Sequence, residues 1–186
     1  MITPLRLTLA LSLVLAFPAL AEDKPAAGGA DPMAGWKPPV VKNEKKDRQE
    51  IEAMLKKMET ASQKADLEGA AALVDFPVLM VTDDSKGEGG GDVWSREQWT
   101  KVMKPFYAQP SPPDAMKPGK RTIVLISDSL AIVGSGWTMK MGPKAVSGTS
   151  GLVLVRKGGE WKAKGMIEGG WGDMPMDGAP DQPAAK

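Results

Sequence analysis

The sequence predicts an α+β domain in which a curved antiparallel sheet wraps around three N-terminal helices. Two observations carry this prediction. Residues 47–107 contain three helical segments and one short hairpin. Residues 121–171 contain four strand-like runs joined by short turns, which force neighbouring strands to be antiparallel. Glycines interrupt these runs, and glycine inside a strand permits the bends that let a sheet close over helices.

The N-terminal helices follow from the spacing of apolar residues. Over residues 47–64, apolar side chains recur every three or four positions opposite Lys and Glu, which indicates an amphipathic helix. A second, short helix is predicted over residues 67–74, with Asp66 as its N-cap and Pro77 as its end. Residues 78–82 then form a short strand.

The rest of the domain is read in the same way. Residues 83–92 form an acidic, glycine-rich loop whose spacing does not fit a calcium-binding EF-hand. Ser95 and Gln98 form a capping box, so a third helix begins there and runs to about Tyr107. The four strands are predicted at residues 121–127, 130–141, 145–156 and 160–171.

The first 21 residues have the pattern of an export signal. Arg6 supplies a positive charge, residues 7–17 form an apolar stretch too short to span a bilayer, and an Ala-x-Ala cleavage site ends at Ala21. We expect a signal peptide that is removed on export to the periplasm or the extracellular space, and a retained membrane anchor is the alternative. The mature chain is then expected to comprise a flexible leader (residues 22–44), one domain (45–173) and a disordered tail (174–186).

Composition excludes several classes of partner and site. The chain has 24 Lys and Arg against 23 Asp and Glu, and one of the bases lies in the signal. With no basic excess, neither nucleic acid nor an anionic membrane surface is an expected partner. The chain has no cysteine and no histidine. It therefore has no disulfide, no Ser-His-Asp or Cys-His triad and no imidazole metal site.

The order of elements resembles that of the nuclear transport factor 2-like superfamily, including its SnoaL-like and ketosteroid-isomerase-like members. Three segments are locally similar to the family: the second helix at residues 66–75, Thr-Asp-Asp at 82–84, and Gly-Glu-Trp-Lys-Ala at 159–163. The resemblance covers nearly the whole predicted domain. It implies a cystatin-like cone, in which a curved sheet closes over helices and often leaves a pocket.

The resemblance does not decide the function, because the superfamily includes isomerases, cyclases, dehydratases and transport factors. An isomerase of this fold needs a base on the first strand, and that position falls at about Val81. Its tyrosine donor lies on the first helix, whereas Tyr107 ends the third. Dehydratase chemistry of the scytalone type uses a histidine. The chain departs from each pattern, so a ketosteroid-isomerase type of reaction is not expected.

Two carboxylates are candidates for a pocket acid or base. Asp75, at the end of the second helix and before Pro77, is more typical of a local cap or turn residue. Glu168 lies in the last strand, where alternation places it on the outer face with Lys162 and Lys164. A bulge at Gly165 would turn it inward.

Aromatic and methionine side chains are the remaining candidates. Large apolar groups are mostly core residues, and some can line a ligand pocket. The expected lining residues are Trp94, Trp99, Phe106, Trp137 and Met166. The Met-x-Met pairs at 139–141 and 174–176 could suggest Cu(I), but methionine commonly fills irregular cores, so neither a metal nor another cofactor is expected.

Three functions remain open. The first is non-catalytic binding of a small apolar ligand or a structural role, and the second is an isomerase- or cyclase-like enzyme that uses a pocket carboxylate. The third is a protein-interaction module that dimerises through the outer sheet face. A carboxylate inside the cone would favour the second, and a broad apolar outer face beside Val153 and Val155 would favour the third.

Overall fold

A computed structural model describes residues 35–112, 115–141 and 144–173 of the chain. The chain divides into two units between Lys37 and Pro38, and the elements below all belong to the second unit. The predicted signal peptide, most of the predicted leader and the predicted tail lie outside the described residues. Among the described residues, no helix combines the length and the apolar character needed to cross a bilayer.

Three α-helices, one 3-10 turn and six strands make up the fold. The helices are α1 (Glu44–Gln63), α2 (Leu67–Ala72) and α3 (Arg96–Met103), and the 3-10 turn Lys104–Tyr107 follows α3. The strands are β1 (Val74–Asp83), β2 (Gly89–Trp94), β3 (Met116–Ser127), β4 (Leu130–Met141), β5 (Lys144–Lys157) and β6 (Glu160–Glu168).

Side-chain caps fix where the helices begin. The Asn43 side chain accepts a hydrogen bond from the backbone N–H of Lys46, so α1 begins three residues before the predicted start. Asp66 caps α2 through the N–H of Gly69, as predicted. Ser95 and Gln98 form the predicted capping box of α3.

The six strands form one sheet in the order β2-β1-β6-β5-β4-β3. Four of the five pairings are antiparallel, as the short turns require, but β1 and β6 run parallel. The sheet is therefore mixed rather than wholly antiparallel. Parallel neighbours need a long crossover, and the chain supplies one because β2, α3 and the first three strands of the meander all lie between β1 and β6.

The start of β1 differs from the prediction. The second helix ends at Ala72, and β1 begins at Val74, so Asp75 is a strand residue and not a helix-terminal one. The Phe76–Pro77 peptide bond is cis. Proline is tolerated here because the pairing of β1 with β6 is irregular between Val74 and Leu79, where no regular ladder needs its missing N–H.

Two clusters of buried residues join the helices to one face of the sheet. The first packs α1 against β4, β5 and β6, with Ile51 and Leu154 fully buried. The second packs α2 and α3 against β1 and β2, with Val78 and Trp99 at its centre. We call this helix-covered side the inner face and the opposite side the outer face.

Candidate functional site

A bulge in the last strand decides which face its C-terminal half presents. The pairing of β5 with β6 shifts between Val153 and Leu154, which leaves Lys164 as an extra residue on β6. An extra residue reverses the alternation of side chains beyond it. Met166, beyond the bulge, packs against both core clusters, and Glu168 follows it two positions later on the same inner face.

This placement corrects the alternation argument made from the sequence. Uninterrupted alternation puts Glu168 on the outer face with Lys162 and Lys164. The bulge beside Gly165 moves it to the inner face, which was the stated alternative. The side chain of Ile167, which lies between Met166 and Glu168, is 43% exposed on the outer face.

Asp75 stabilises the bulge in β6 through its contact with Lys164. The ammonium group of Lys164 lies 3.1 Å from a carboxylate oxygen of Asp75, and it donates hydrogen bonds to the carbonyls of Pro77 (2.8 Å) and Asp75 (3.3 Å). The bulged residue of β6 is thereby fastened to the irregular part of β1. Asp75 is a structural residue that acts through Lys164.

A second lysine makes Asp75 a poor proton acceptor. Lys157 lies 3.0 Å from its other carboxylate oxygen. The hydrogen bond from Lys157, followed by that from Lys164, lowers the pKa of Asp75 against the opposing effect of burial. The structure does not place Asp75 beside Glu168 in the cleft described next, so the two predicted carboxylates do not form a pair.

Glu168 has a different environment. Burial raises the pKa of its carboxyl group. Within the described part of the chain, the Glu168 carboxylate forms no hydrogen bond and no ion pair. It therefore remains available to a ligand of the cleft that it lines.

Glu168 opens onto a small cleft between β1, β6 and the C-terminal end of α3. The cleft has a volume of about 80 Å³. Three methionines, one carboxylate and one indole give it an apolar wall with a single charge. Its lining residues are Met80, Val81, Thr82, Met103, Met166, Glu168 and Trp171.

The segment after β6 fixes the indole at this cleft. The backbone N–H of Trp171 donates to Oγ1 of Thr82 at 3.0 Å, and that of Gly170 donates to the Asp83 carboxylate at 2.6 Å. The ring of Phe106 lies beside that of Trp171, with centroids 5.2 Å apart. Trp171 thus lines the cleft, and Phe106 packs against Trp171 without lining it.

The predicted lining residues are distributed over three places. Trp94 and Trp99 are 5% and 2% exposed and belong to the second core cluster. Trp137 lies on the inner face of β4, where its ring covers Gly148 of β5. Phe106 contacts Trp171, and Met166 alone of the five lines the cleft.

Sequence reasoning missed Met80, Met103 and Trp171 as cleft residues. They come from β1, the end of α3 and the segment after β6, so no local spacing signals that they meet. Val81, where the resemblance implies a base, also lines the cleft and cannot accept a proton. Tyr107 packs against the second core cluster, and burial raises its pKa.

A row of polar residues crosses the inner face in register with Glu168. Glu168 pairs with Ser150, Ser150 with Ser135, and Ser135 with Arg121, one residue from each of β6, β5, β4 and β3. Cross-strand neighbours of this kind have Cβ atoms about 5 Å apart. Arg121 is held by Glu52 and Glu59 of α1, so Glu168 ends the row without a cation of its own.

The acidic loop offers no preformed cation site. Asp84 accepts the backbone N–H groups of Lys86 and Glu88 at 2.9 Å, and Asp83 accepts that of Gly170. These carboxylates serve the local backbone. Across the described residues, no three Asp, Glu, His or Cys side chains are grouped as metal ligands.

An unbroken row of apolar positions crosses the outer face. Each member is the register partner of the next, so the row spans all six strands. We call it the outer apolar row, and its members from β2 to β3 are Val93, Leu79, Gly165, Val153, Ile132 and Val124. Four of them are strongly exposed, at 55% for Val93, 42% for Leu79, 46% for Ile132 and 48% for Val124.

Solved structures with the same arrangement decide the fold. A nuclear transport factor 2-like protein of unknown function from Shewanella oneidensis MR-1 superposes with a TM-score of 0.54 at 16% identity, over 66% of this chain and 98% of that one. The chain has the nuclear transport factor 2-like fold. The resemblance seen in the sequence is confirmed at the level of fold, as is the α+β class.

Two further structures show how varied proteins with the nuclear transport factor 2-like fold are. A scytalone dehydratase-like protein from Novosphingobium aromaticivorans DSM 12444 has a TM-score of 0.52 at 15% identity, over 68% of this chain and 85% of that one. The association domain of CaMKII from C. elegans has a TM-score of 0.50 at 14% identity, over 68% and 98%. At these identities the likeness is one of fold alone. No protein-family model and no curated protein matches the sequence.

Proposed function

We propose that the protein is an exported domain that associates with a second copy of itself through the outer apolar row. The observation that carries this proposal is the row itself, which runs in register across all six strands and includes strongly exposed side chains. Ile126, Leu130 and Ile167, each more than two-fifths exposed, extend the same apolar face. A monomeric protein rarely exposes a contiguous apolar surface of this kind.

A second copy is the occupant that fits best. No member of the row is charged, so the row itself adds no like-charge repulsion between two copies, and a two-fold axis lets one patch contact itself. The register pairs Ile132–Val153 and Leu130–Val155 support the proposal, because a dimer through the outer face was expected to use apolar residues beside Val153 and Val155. The CaMKII domain of C. elegans, which has this fold, is an association domain.

Sedimentation velocity tests self-association. The wild-type protein is expected to sediment as a dimer at micromolar concentration, and Ile132→Lys as a monomer because two buried ammonium groups would face each other. Gln63→Lys adds the same charge at an exposed position in the last turn of α1 and is the matched control. A wild-type monomer, or a dimer unaffected by Ile132→Lys, contradicts the proposal.

Export to the periplasm or the extracellular space is part of the same proposal. The charged start, the apolar stretch and the Ala-x-Ala site of residues 1–21 support it. The exported protein is expected to begin at Glu22, which intact-mass analysis of secreted material measures. Material that retains residues 7–17 would contradict a cleaved signal and favour the membrane anchor.

Binding of a small ligand at the cleft is the second candidate function. The unpaired Glu168 carboxylate beside Trp171 favours it, because a charge without a partner next to an indole is a polar anchor in an apolar wall. Chemistry of the isomerase type has less support, since Val81 lies where its base is expected. A Δ5-3-ketosteroid should therefore give no conjugated-enone absorbance above buffer. Turnover that disappears in Glu168→Gln would favour the enzyme instead.

A further inference from the structure

The methionines of the cleft come together from three separate parts of the chain. Met80 on β1 and Met166 on β6 are register partners in the parallel pair, so their backbones are adjacent. Met103 is the last residue of α3 and lines the same cleft. All three are partly buried, pack against the second core cluster and line this cleft, whereas Met54 of α1 is buried in the first core cluster and is not one of the lining residues of the cleft.

We propose that this cleft binds a soft monovalent metal ion, Cu(I), through the thioether sulfurs of Met80, Met103 and Met166. The assignment names the ligand class for the second candidate function and rests on it. Thioether sulfur is a soft ligand that selects Cu(I) over harder cations such as Mg²⁺ and Ca²⁺. Zn²⁺ is bound by thiolate, imidazole and carboxylate groups, of which the cleft has one carboxylate.

The size of the cleft favours an ion over an organic molecule. Pockets for drug-sized ligands have volumes of roughly 300–1,000 Å³. The cleft, at about 80 Å³, has room for an ion but not for a steroid. The small apolar ligand expected from the sequence therefore fits this cleft less well than a metal ion does.

Two further groups of the cleft suit a cation. The Glu168 carboxylate has no cationic partner among the described residues, so it can balance the charge of a bound ion. Trp171 presents an indole to the same space, and indole rings attract cations through the negative potential of their faces. Phe106 packs against the Trp171 ring, with the two ring centroids 5.2 Å apart.

Competition for Cu(I) against a chromogenic chelator, under anaerobic reducing conditions, tests the site. The wild-type protein is expected to hold one equivalent. Met80→Leu, Met103→Leu and Met166→Leu each preserve side-chain volume and should weaken binding by at least about tenfold. The control is Met54→Leu, which changes a core methionine and should leave the affinity unchanged. Binding that survives the triple cleft variant overturns the proposal.

Two readouts separate the cleft from the other methionines and from misfolding. Methyl carbon-13 NMR of labelled wild-type protein should show three methionine resonances shifting with one equivalent of Cu(I), and the Leu variants assign them to positions 80, 103 and 166. Shifts confined to Met174 and Met176, or no stoichiometric binding, contradict the site. Self-association is measured separately through Ile132→Lys, so failure of the metal site leaves that proposal standing.

Discussion

The ammonium group of Lys164 and the carboxylate of Asp75 lie 3.1 Å apart, and this ion pair fixes the bulge that turns Glu168 to the inner face. Asp75 and Glu168, the two acids that the sequence offers as candidates for chemistry, therefore have different roles. One is structural and sets the orientation of the strand that carries the other. Of these two acids, it is Glu168 that lines the methionine-containing cleft.

Removing the cation from this pair should destabilise the fold. Lys164→Met leaves Asp75 with one ammonium partner and removes the donor to the Pro77 carbonyl, so we expect a loss of roughly 1–2 kcal/mol in the free energy of unfolding. Lys162→Gln removes a lysine without an ion pair in the described structure, and it should change stability by less than about 0.5 kcal/mol. Urea unfolding measures the free energy of unfolding of both variants. Equal losses of stability would show that the Lys164 contacts do not stabilise the fold.

The carboxyl group of Asp75 should make the stability of the fold depend on pH. The pKa of Asp75 is lower in the folded protein than in an unfolded chain, chiefly because of the hydrogen bond from Lys157. Its contribution is therefore complete above the ordinary carboxyl pKa of about 3.9 and is lost as the pH falls through the folded value. The stability difference between wild type and Asp75→Asn should be constant from pH 5 to 7 and shrink below about pH 4. A difference that grows on acidification would contradict this sign.

The position of Gly148 has no room for a side chain, because the ring of Trp137 on β4 covers it. A Cβ atom at this position would collide with the ring of Trp137, so Gly148→Ala should destabilise by about 1–3 kcal/mol through overpacking. At Gly136, on the paired strand, the nearest atom to an added Cβ is 3.9 Å away, and Gly136→Ala should stay within about 0.5 kcal/mol of wild type. Thermal melting of the two variants measures the contrast, and similar melting temperatures would place the Trp137 ring elsewhere.

Two arginine–carboxylate pairs differ in burial, so replacing the arginine should cost more stability in the buried pair than in the exposed one. A guanidinium nitrogen of Arg156 lies 2.5 Å from a carboxylate oxygen of Asp47, which is almost fully buried. The Cζ atom of Arg156 also lies 4.6 Å from the centre of the Trp161 ring. Arg156→Met leaves a buried charge unpaired and should cost about 3 kcal/mol. Arg96 pairs with an exposed Glu68 at 2.7 Å, and Arg96→Met should cost less than about 1 kcal/mol. Chemical denaturation that ranks them in the opposite order would refute the assignment of Asp47 as a buried charge.

The order of elements was predictable because helical periodicity, the Ser95 capping box and the short turns of the meander are local signals. The parallel pairing of β1 with β6 was not, since it depends on contacts between residues about ninety positions apart. The β1 start was missed because Pro77 was taken as the end of a helix, whereas an irregular strand pairing also tolerates proline.

The candidate site was less predictable than the fold. The orientation of Glu168 depends on a single extra residue, and the anchor of that residue, Asp75, lies on another strand. The three methionines of the cleft come from distant segments, so the Met-x-Met spacing drew attention to other positions. The sequence indicated only where an apolar outer face would lie if the domain dimerised, beside Val153 and Val155, because side-chain alternation in β5 is regular there.

Because the chain contains no cysteine, a single introduced thiol can measure directly whether the outer face is an interface between two copies. Ile132→Cys and Gln63→Cys each introduce one thiol, and maleimide labelling rates are measured over a range of protein concentrations. The thiol at position 132 should be protected at high concentration and should react faster on dilution, while that at position 63 reacts at one rate throughout. Labelling at position 132 that is independent of concentration would contradict a dimer through the outer apolar row.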